Sequence, residues 1–221
     1  MPAKAHKLIV PRTAHYYTLG TPGAHIEKVW IACHGYGQAA ERFISKFDVL
    51  DDGKTLIIAP EALSRFYWGG FSGDVVASWM TKGDRLDEIG DFCAYLQEIY
   101  EHFMPQVPDT ARVNLFGFSQ GVATILRWIF QEKPVFDNLV LWAGTIPDEL
   151  DYTPYHKYLS DKNTQFIYGT EDQLITPERL EMIRQLMKAK GMTWEEMSYE
   201  GKHIVVREGL LRVAKKIGHT I

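Results

Sequence analysis

The sequence predicts an α/β fold with a mostly parallel central sheet and helices on both faces. Short apolar runs alternate with longer amphipathic ones along the chain, the pattern of strand–helix–strand units. The short runs are almost continuously apolar, as strands covered on both faces are. No internal repeat, low-complexity tract or linker interrupts the alternation, and 221 residues suffice for a substantial core. Residues 1–221 are therefore expected to form a single domain.

His15-Tyr16-Tyr17-Thr18-Leu19 is the first strand candidate, polar enough to be an edge. Val29-Trp30-Ile31-Ala32-Cys33 follows as a buried strand, and a helix is expected over residues 38–47. Thr55-Leu56-Ile57-Ile58-Ala59 is the next buried strand. Residues 65–73 then break the pattern. Phe66, Tyr67, Trp68 and Phe71 stand among glycines without periodicity, which reads as an aromatic loop running on towards Trp79. Residues 84–103 form the longest predicted helix, with Leu86, Ile89, Phe92, Cys93, Leu96, Ile99, Tyr100 and Phe103 at three-to-four spacing.

Val113-Asn114-Leu115-Phe116 is a strand, followed by a helix over 119–131. Leu139-Val140-Leu141-Trp142-Ala143 and Gln165-Phe166-Ile167-Tyr168 are further strands. A helix over 177–190 has Thr176 as N-cap, proline at its first position and Gly191 as its stop. A last strand over 193–199 and a last helix over 203–217 complete the chain.

Composition excludes several function classes. The net charge is −4 with no block of like charge, so no nucleic-acid partner is expected. Two cysteines, Cys33 and Cys93, cannot make a zinc site alone, and both read as reduced core residues. No metal site and no cofactor are expected. Met1-Pro2-Ala3-Lys4-Ala5-His6-Lys7 has no apolar region behind it, and no run is long enough to span a membrane. A cytoplasmic location is the expectation.

The chemistry centres on Gly117-Phe118-Ser119-Gln120-Gly121, a G-x-S-x-G between a predicted strand and a predicted helix. A serine at such a turn projects its hydroxyl from the sheet and lies near the helix N-terminus, where an oxyanion would form. Ser119 is the candidate nucleophile. It needs a base, and the base needs an orienting acid, expected in the order serine, acid, histidine. Asp172 lies in the loop after the strand ending at Tyr168, with Glu171 as its competitor. His203 lies after the last strand. His6, His15 and His25 precede the expected core, and His219 is close to the C-terminus.

An oxyanion hole needs two backbone N–H donors. Gln120, the residue after the serine, supplies one. His34-Gly35-Tyr36-Gly37-Gln38, directly after a buried strand, supplies the other from Tyr36, with Gly37 as the alternative. His34 reads as a residue that orients this loop. Phe66, Trp68, Phe71 and Trp79 of the aromatic segment and Ile146 of Thr145-Ile146-Pro147 are the expected substrate-binding residues.

Together these four motifs resemble the α/β-hydrolase superfamily, and in particular its compact phospholipase/carboxylesterase branch, which includes the acyl-protein thioesterases and the bacterial predicted esterases. That branch carries H-G-x-G-D, G-F-S-Q-G-G, G-x-x-D and G-H. The corresponding residues here are His34 to Gln38, Gly117 to Val122, Gly169 to Asp172, and Lys202-His203. The resemblance covers nearly the whole chain. It implies the α/β-hydrolase fold, a triad of Ser119, Asp172 and His203, an oxyanion hole from Tyr36 and Gln120, and no cofactor.

Gln38, Val122 and Lys202 depart from the branch pattern without removing a catalytic group, which leaves the substrate open. The interval from Ser119 to Asp172 (172 − 119 = 53 residues) leaves no room for a large cap domain after the intervening strand. The expected partner is a small-molecule carboxylic ester in a shallow pocket. The same machinery would serve a thioesterase or lysophospholipase. A non-catalytic binding protein on this fold would be expected to have lost a triad member. A homodimer built on the aromatic segment is compatible with the sequence.

Overall fold

The computed structural model describes residues 2–219; Met1, at the head of the N-terminal stretch read above, lies outside them. In chain order the strands are β1 (Tyr16–Leu19), β2 (Lys28–Cys33), β3 (Thr55–Pro60), β4 (Ser64–Trp68), β5 (Asp74–Ser78), β6 (Arg112–Phe118), β7 (Asn138–Trp142), β8 (Asn163–Gly169) and β9 (Glu195–Tyr199). The α-helices are α1 (Ala40–Ile44), α2 (Arg85–Phe103), α3 (Gln120–Glu132), α4 (His156–Ser160), α5 (Pro177–Ala189) and α6 (Arg207–Lys216).

Seven strands form one sheet in the order β1-β3-β2-β6-β7-β8-β9. Only β1, paired to β3, is antiparallel. Strands β2, β3 and β7 are buried along almost their whole length, as their continuous apolar runs require of a sheet covered on both faces. Helices α2 and α3 pack together on one face, while α6 packs on the 3₁₀ segment Ser45–Leu50 that follows α1. Cys33 and Cys93 are free and buried, and burial pushes both thiols well above their ordinary range, Cys93 to about 12.

Three expectations need correction. Residues 64–78 are not an aperiodic loop: β4 and β5 form an antiparallel hairpin pairing Phe66 with Val76 and Tyr67 with Val75. The first helix is shorter than predicted, because Gln38 pairs with Ala77 in an isolated bridge and the helical turn tightens to 3₁₀ after Ile44. The last helix begins at Arg207, so His203 sits in the loop before it. The short helix α4 had no counterpart among the predicted elements. Thr176 caps α5 as expected, accepting a hydrogen bond from Arg179 N at 3.3 Å.

Among the described residues, no helix is long and apolar enough to cross a membrane. Likewise, no group of three or more His, Cys, Asp or Glu is placed to hold a metal ion.

Candidate active site

The chain turns outward from β2 to β3 and then crosses back to β6, so β2 and β6 flank the topological switch point of the sheet. Ligand sites in such sheets form at the carboxyl ends of the strands around that point. The loop after β2 carries Tyr36, the turn after β6 carries Ser119, the loop after β8 carries Asp172, and the loop after β9 carries His203. All four therefore converge on one edge of the sheet.

At the elbow Ser119 has φ 53° and ψ −114°, backbone that a residue with a Cβ rarely adopts. Its N–H donates to Trp142 O at 2.8 Å and its carbonyl accepts from Val122 N at 3.1 Å, so the strained turn is held from both sides. Close approach of β6, α3 and β2 explains the flanking glycines. A Cβ on Gly117 would stand 2.4 Å from Gly121 O, and one on Gly121 would stand 2.2 Å from Cys33 O. Larger residues cannot occupy either place without moving backbone.

His203 Nε2 lies 2.9 Å from Ser119 Oγ, and His203 Nδ1 lies 2.7 Å from Asp172 Oδ2. With Nδ1 donating to the carboxylate, Nε2 is free to accept the serine proton. Asp172 is buried, and its other oxygen accepts from Leu174 N (2.8 Å) and Ile175 N (3.2 Å). The side chain of Ile175 is itself buried, which pins the loop. Glu171, the competing acid, points into solvent. Phe118 packs against the imidazole with ring centroids 4.9 Å apart.

The loop after β2 is closed on itself. Gly35 N donates to Gln38 Oε1 at 2.8 Å, and Gly37 N donates to Ala77 O at 3.0 Å. Gly37 N is thus already bonded, whereas no backbone partner holds Tyr36 N among the described residues. His34 Nδ1 donates to Gly35 O (2.7 Å) while Nε2 accepts from Ala62 N (3.1 Å), which fixes one neutral tautomer. Burial lowers the His34 pKa to about 4.

The family model described as serine hydrolase (FSH1) matches residues 27–208, a span containing Tyr36, Ser119, Gln120, Asp172 and His203. This chain belongs to the FSH1 serine hydrolase family. Its fold is similar to that of acyl-protein thioesterase 2 from Zea mays (17% identity, TM-score 0.68, covering 93% of this chain and 98% of that one). It is also similar to a phospholipase/carboxylesterase from Dyadobacter fermentans (18%, TM-score 0.62, 95% and 98%). SOBER1 from Arabidopsis thaliana is a third (18%, TM-score 0.62, 86% and 97%). At these identities the likeness is one of fold, an α/β-hydrolase core without a large cap. No curated protein matches the chain in sequence.

In this serine hydrolase two of the expected substrate-binding residues prove to be core. Trp79 is 2% exposed and Ile146 3%, so neither has surface to offer a ligand. Phe66 and Trp68 pack against Tyr36 of the loop after β2. Their rings and that of Tyr36 form a mutually packed cluster, with centroids 5.6 to 6.2 Å apart. Phe71 is 96% exposed at the hairpin tip. A cleft of about 240 Å³ is lined by Gly37, Trp68, Arg42 and Lys46 among others. None of its lining residues is Ser119, Asp172 or His203.

The sequence reading missed several supporting side chains. The Gln120 side chain accepts from Trp79 N (3.0 Å) and donates to Met80 O (2.9 Å). Tyr199 Oη accepts from Trp142 Nε1 (3.2 Å) and lies 2.9 Å from Lys202 O and 2.5 Å from Ile204 O, bracing the backbone on both sides of His203. These contacts join residues far apart in sequence and leave no local pattern to read.

Proposed function

We propose that this serine hydrolase cleaves carboxylic esters through an acyl-enzyme, with Ser119 as nucleophile, His203 as general base and acid, and Asp172 as the orienting carboxylate. The observation that carries this reading is the continuous hydrogen-bonded path from Ser119 Oγ through His203 to a buried, doubly bonded Asp172. His203 takes the serine proton as Oγ attacks the ester carbonyl. The negative charge that develops on the carbonyl oxygen accepts from the N–H groups of Tyr36 and Gln120. Collapse expels the alcohol, which takes its proton from His203. Water then attacks the acyl-enzyme with His203 again as base, releasing the acid and restoring Ser119.

The Tyr36–Phe66–Trp68 cluster lies against the oxyanion loop and supports a small apolar acyl group as substrate. Two buried, free thiols are in keeping with a reducing cytoplasmic setting.

A fluorophosphonate probe will label Ser119, and Ser119→Ala will abolish labelling. p-Nitrophenyl esters of graded chain length, run beside acyl-CoA thioesters and lysophospholipids, will show turnover strongest on an oxygen ester. Where such residues act as a unit, removing one costs on the order of 10⁶ in kcat. Labelling at another residue, or His203→Ala retaining a tenth of wild-type activity, contradicts the assignment.

A further inference from the structure

We propose that Trp79 is a positioning residue that sets the spacing between the two oxyanion donors, Tyr36 and Gln120. The inference rests on the serine-esterase reading above. The two donors come from different strands, with nothing covalent nearby to fix their separation. The segment from Ala77 to Met80, at the end of β5, is bonded to Gln120 on one side and, on the other, to His34, Gly37 and Gln38, which flank Tyr36 in its loop.

On the side of the β2 loop, Ala77 exchanges backbone hydrogen bonds with Gly37 and Gln38, each 3.0 Å. The indole Nε1 of Trp79 donates to His34 O at 2.9 Å. On the elbow side, the backbone N–H of Trp79 donates to Gln120 Oε1 at 3.0 Å, and Gln120 Nε2 returns a bond to Met80 O at 2.9 Å. Trp79 thus bonds the loop that presents Tyr36 with its side chain and the residue that presents the other donor with its backbone.

The ring itself is immobilised. It lies 5.2 Å from the His34 imidazole at 35° and meets Phe92 of α2 edge-on at 6.0 Å. It is 2% exposed, so it cannot touch substrate and must act through the groups it bonds. An oxyanion hole works only when its donors stand at the positions the developing charge will occupy, and a missing donor costs about 10² to 10³ in kcat. A displaced donor costs less, and the loss falls on the transition state rather than on the ground state.

The test is Trp79→Phe, which keeps a buried ring and removes the indole donor to His34 O. We expect kcat to fall about ten- to a hundredfold with KM changed less than about threefold. The inhibition constant of a transition-state analogue, an alkyl trifluoromethyl ketone, should rise in parallel with KM/kcat. The pH profile should keep its midpoints, because His203 and Asp172 are untouched. Gln120→Met cuts the other half of the bridge and should show the same split, which covers the case of a poorly folded Trp79→Phe. If the folded variants keep kcat within twofold, or lose kcat with the analogue bound as tightly as by wild type, Trp79 has no positioning role. Wild-type protein inert to esters and to the fluorophosphonate would instead overturn the esterase reading itself.

Discussion

Ser119 carries a backbone cost that its chemistry does not explain away. At φ 53° and ψ −114° a side chain of any kind is strained, by about 1–3 kcal/mol. Glycine is not, although it usually costs about 0.5–1 kcal/mol relative to alanine through the unfolded chain. Both Ser119→Ala and Ser119→Gly lose the bond to His203, so the difference between them isolates the strain. We expect Ser119→Gly to be the more stable of the two by about 1 kcal/mol in urea unfolding, the reverse of the ordinary order. Equal stability, or alanine ahead, would mean the elbow is relaxed.

The residues that meet in this site were largely legible beforehand. On this fold a nucleophilic serine, an acid and a histidine are expected at strand ends in that chain order, and Ser119, Asp172 and His203 stand in it. Trp79 was misread because an aromatic in a glycine-rich stretch looks like a pocket wall. Its indole bond to His34 O joins residues 45 apart in sequence, which no local pattern encodes.

Among the elements, the buried strands were visible from their apolar runs, while the hairpin was not. In β4 and β5 apolar side chains occupy both faces: Phe66, Trp68 and Val76 on one, Tyr67 and Val75 on the other. Alternation is therefore lost, and the Gly69-Gly70 turn completes the appearance of a loop. Helix α3 makes the opposite point, since its place is set by a close contact as much as by its periodicity. Gly121 in its first turn lies against β2, where a Cβ would come within 2.2 Å of Cys33 O. Gly90 in α2 has nothing within 4 Å of its would-be Cβ and does not have positive φ. Gly121→Ala should thus destabilise by about 2 kcal/mol or more through backbone displacement. Gly90→Ala should stabilise by about 0.5–1 kcal/mol. Thermal unfolding of the two variants measures both signs, and a stabilised Gly121→Ala would mean α3 and β2 can separate freely.

Over the whole molecule, two buried neutral histidines stand at opposite ends of the sheet. His34 follows the carboxyl end of β2, while His219 lies by the starts of β2 and β3, near Trp30 Nε1 and Thr55 Oγ1, both at 3.4 Å. Burial holds each at about 4, helped at His219 by the charge of Lys28 and opposed by Asp52. Asp52 itself feels burial upward, but Lys28, Thr55 and the Lys54 amide outweigh it and hold it at about 2. In the unfolded chain a histidine titrates near 6.5. Below that pH the unfolded state binds protons that the folded state refuses, so stability falls as pH drops from about 6.5 towards 4.

The carboxylate contribution, Asp52 included, is lost only at lower pH, below about 4, so the histidines dominate the upper window. For His34 the loss amounts to roughly 2 kcal/mol by pH 5, and His219 adds in the same direction. Urea midpoints should be flat above about pH 7.5 and decline towards pH 5 with a slope approaching two protons. His34→Gln, which retains a side-chain amide near the Ala62 N–H, should lower stability at pH 7.5 but reduce that slope to about one proton. A midpoint unchanged between pH 7.5 and 5, or an undiminished slope in His34→Gln, would mean these histidines accept protons in the folded state.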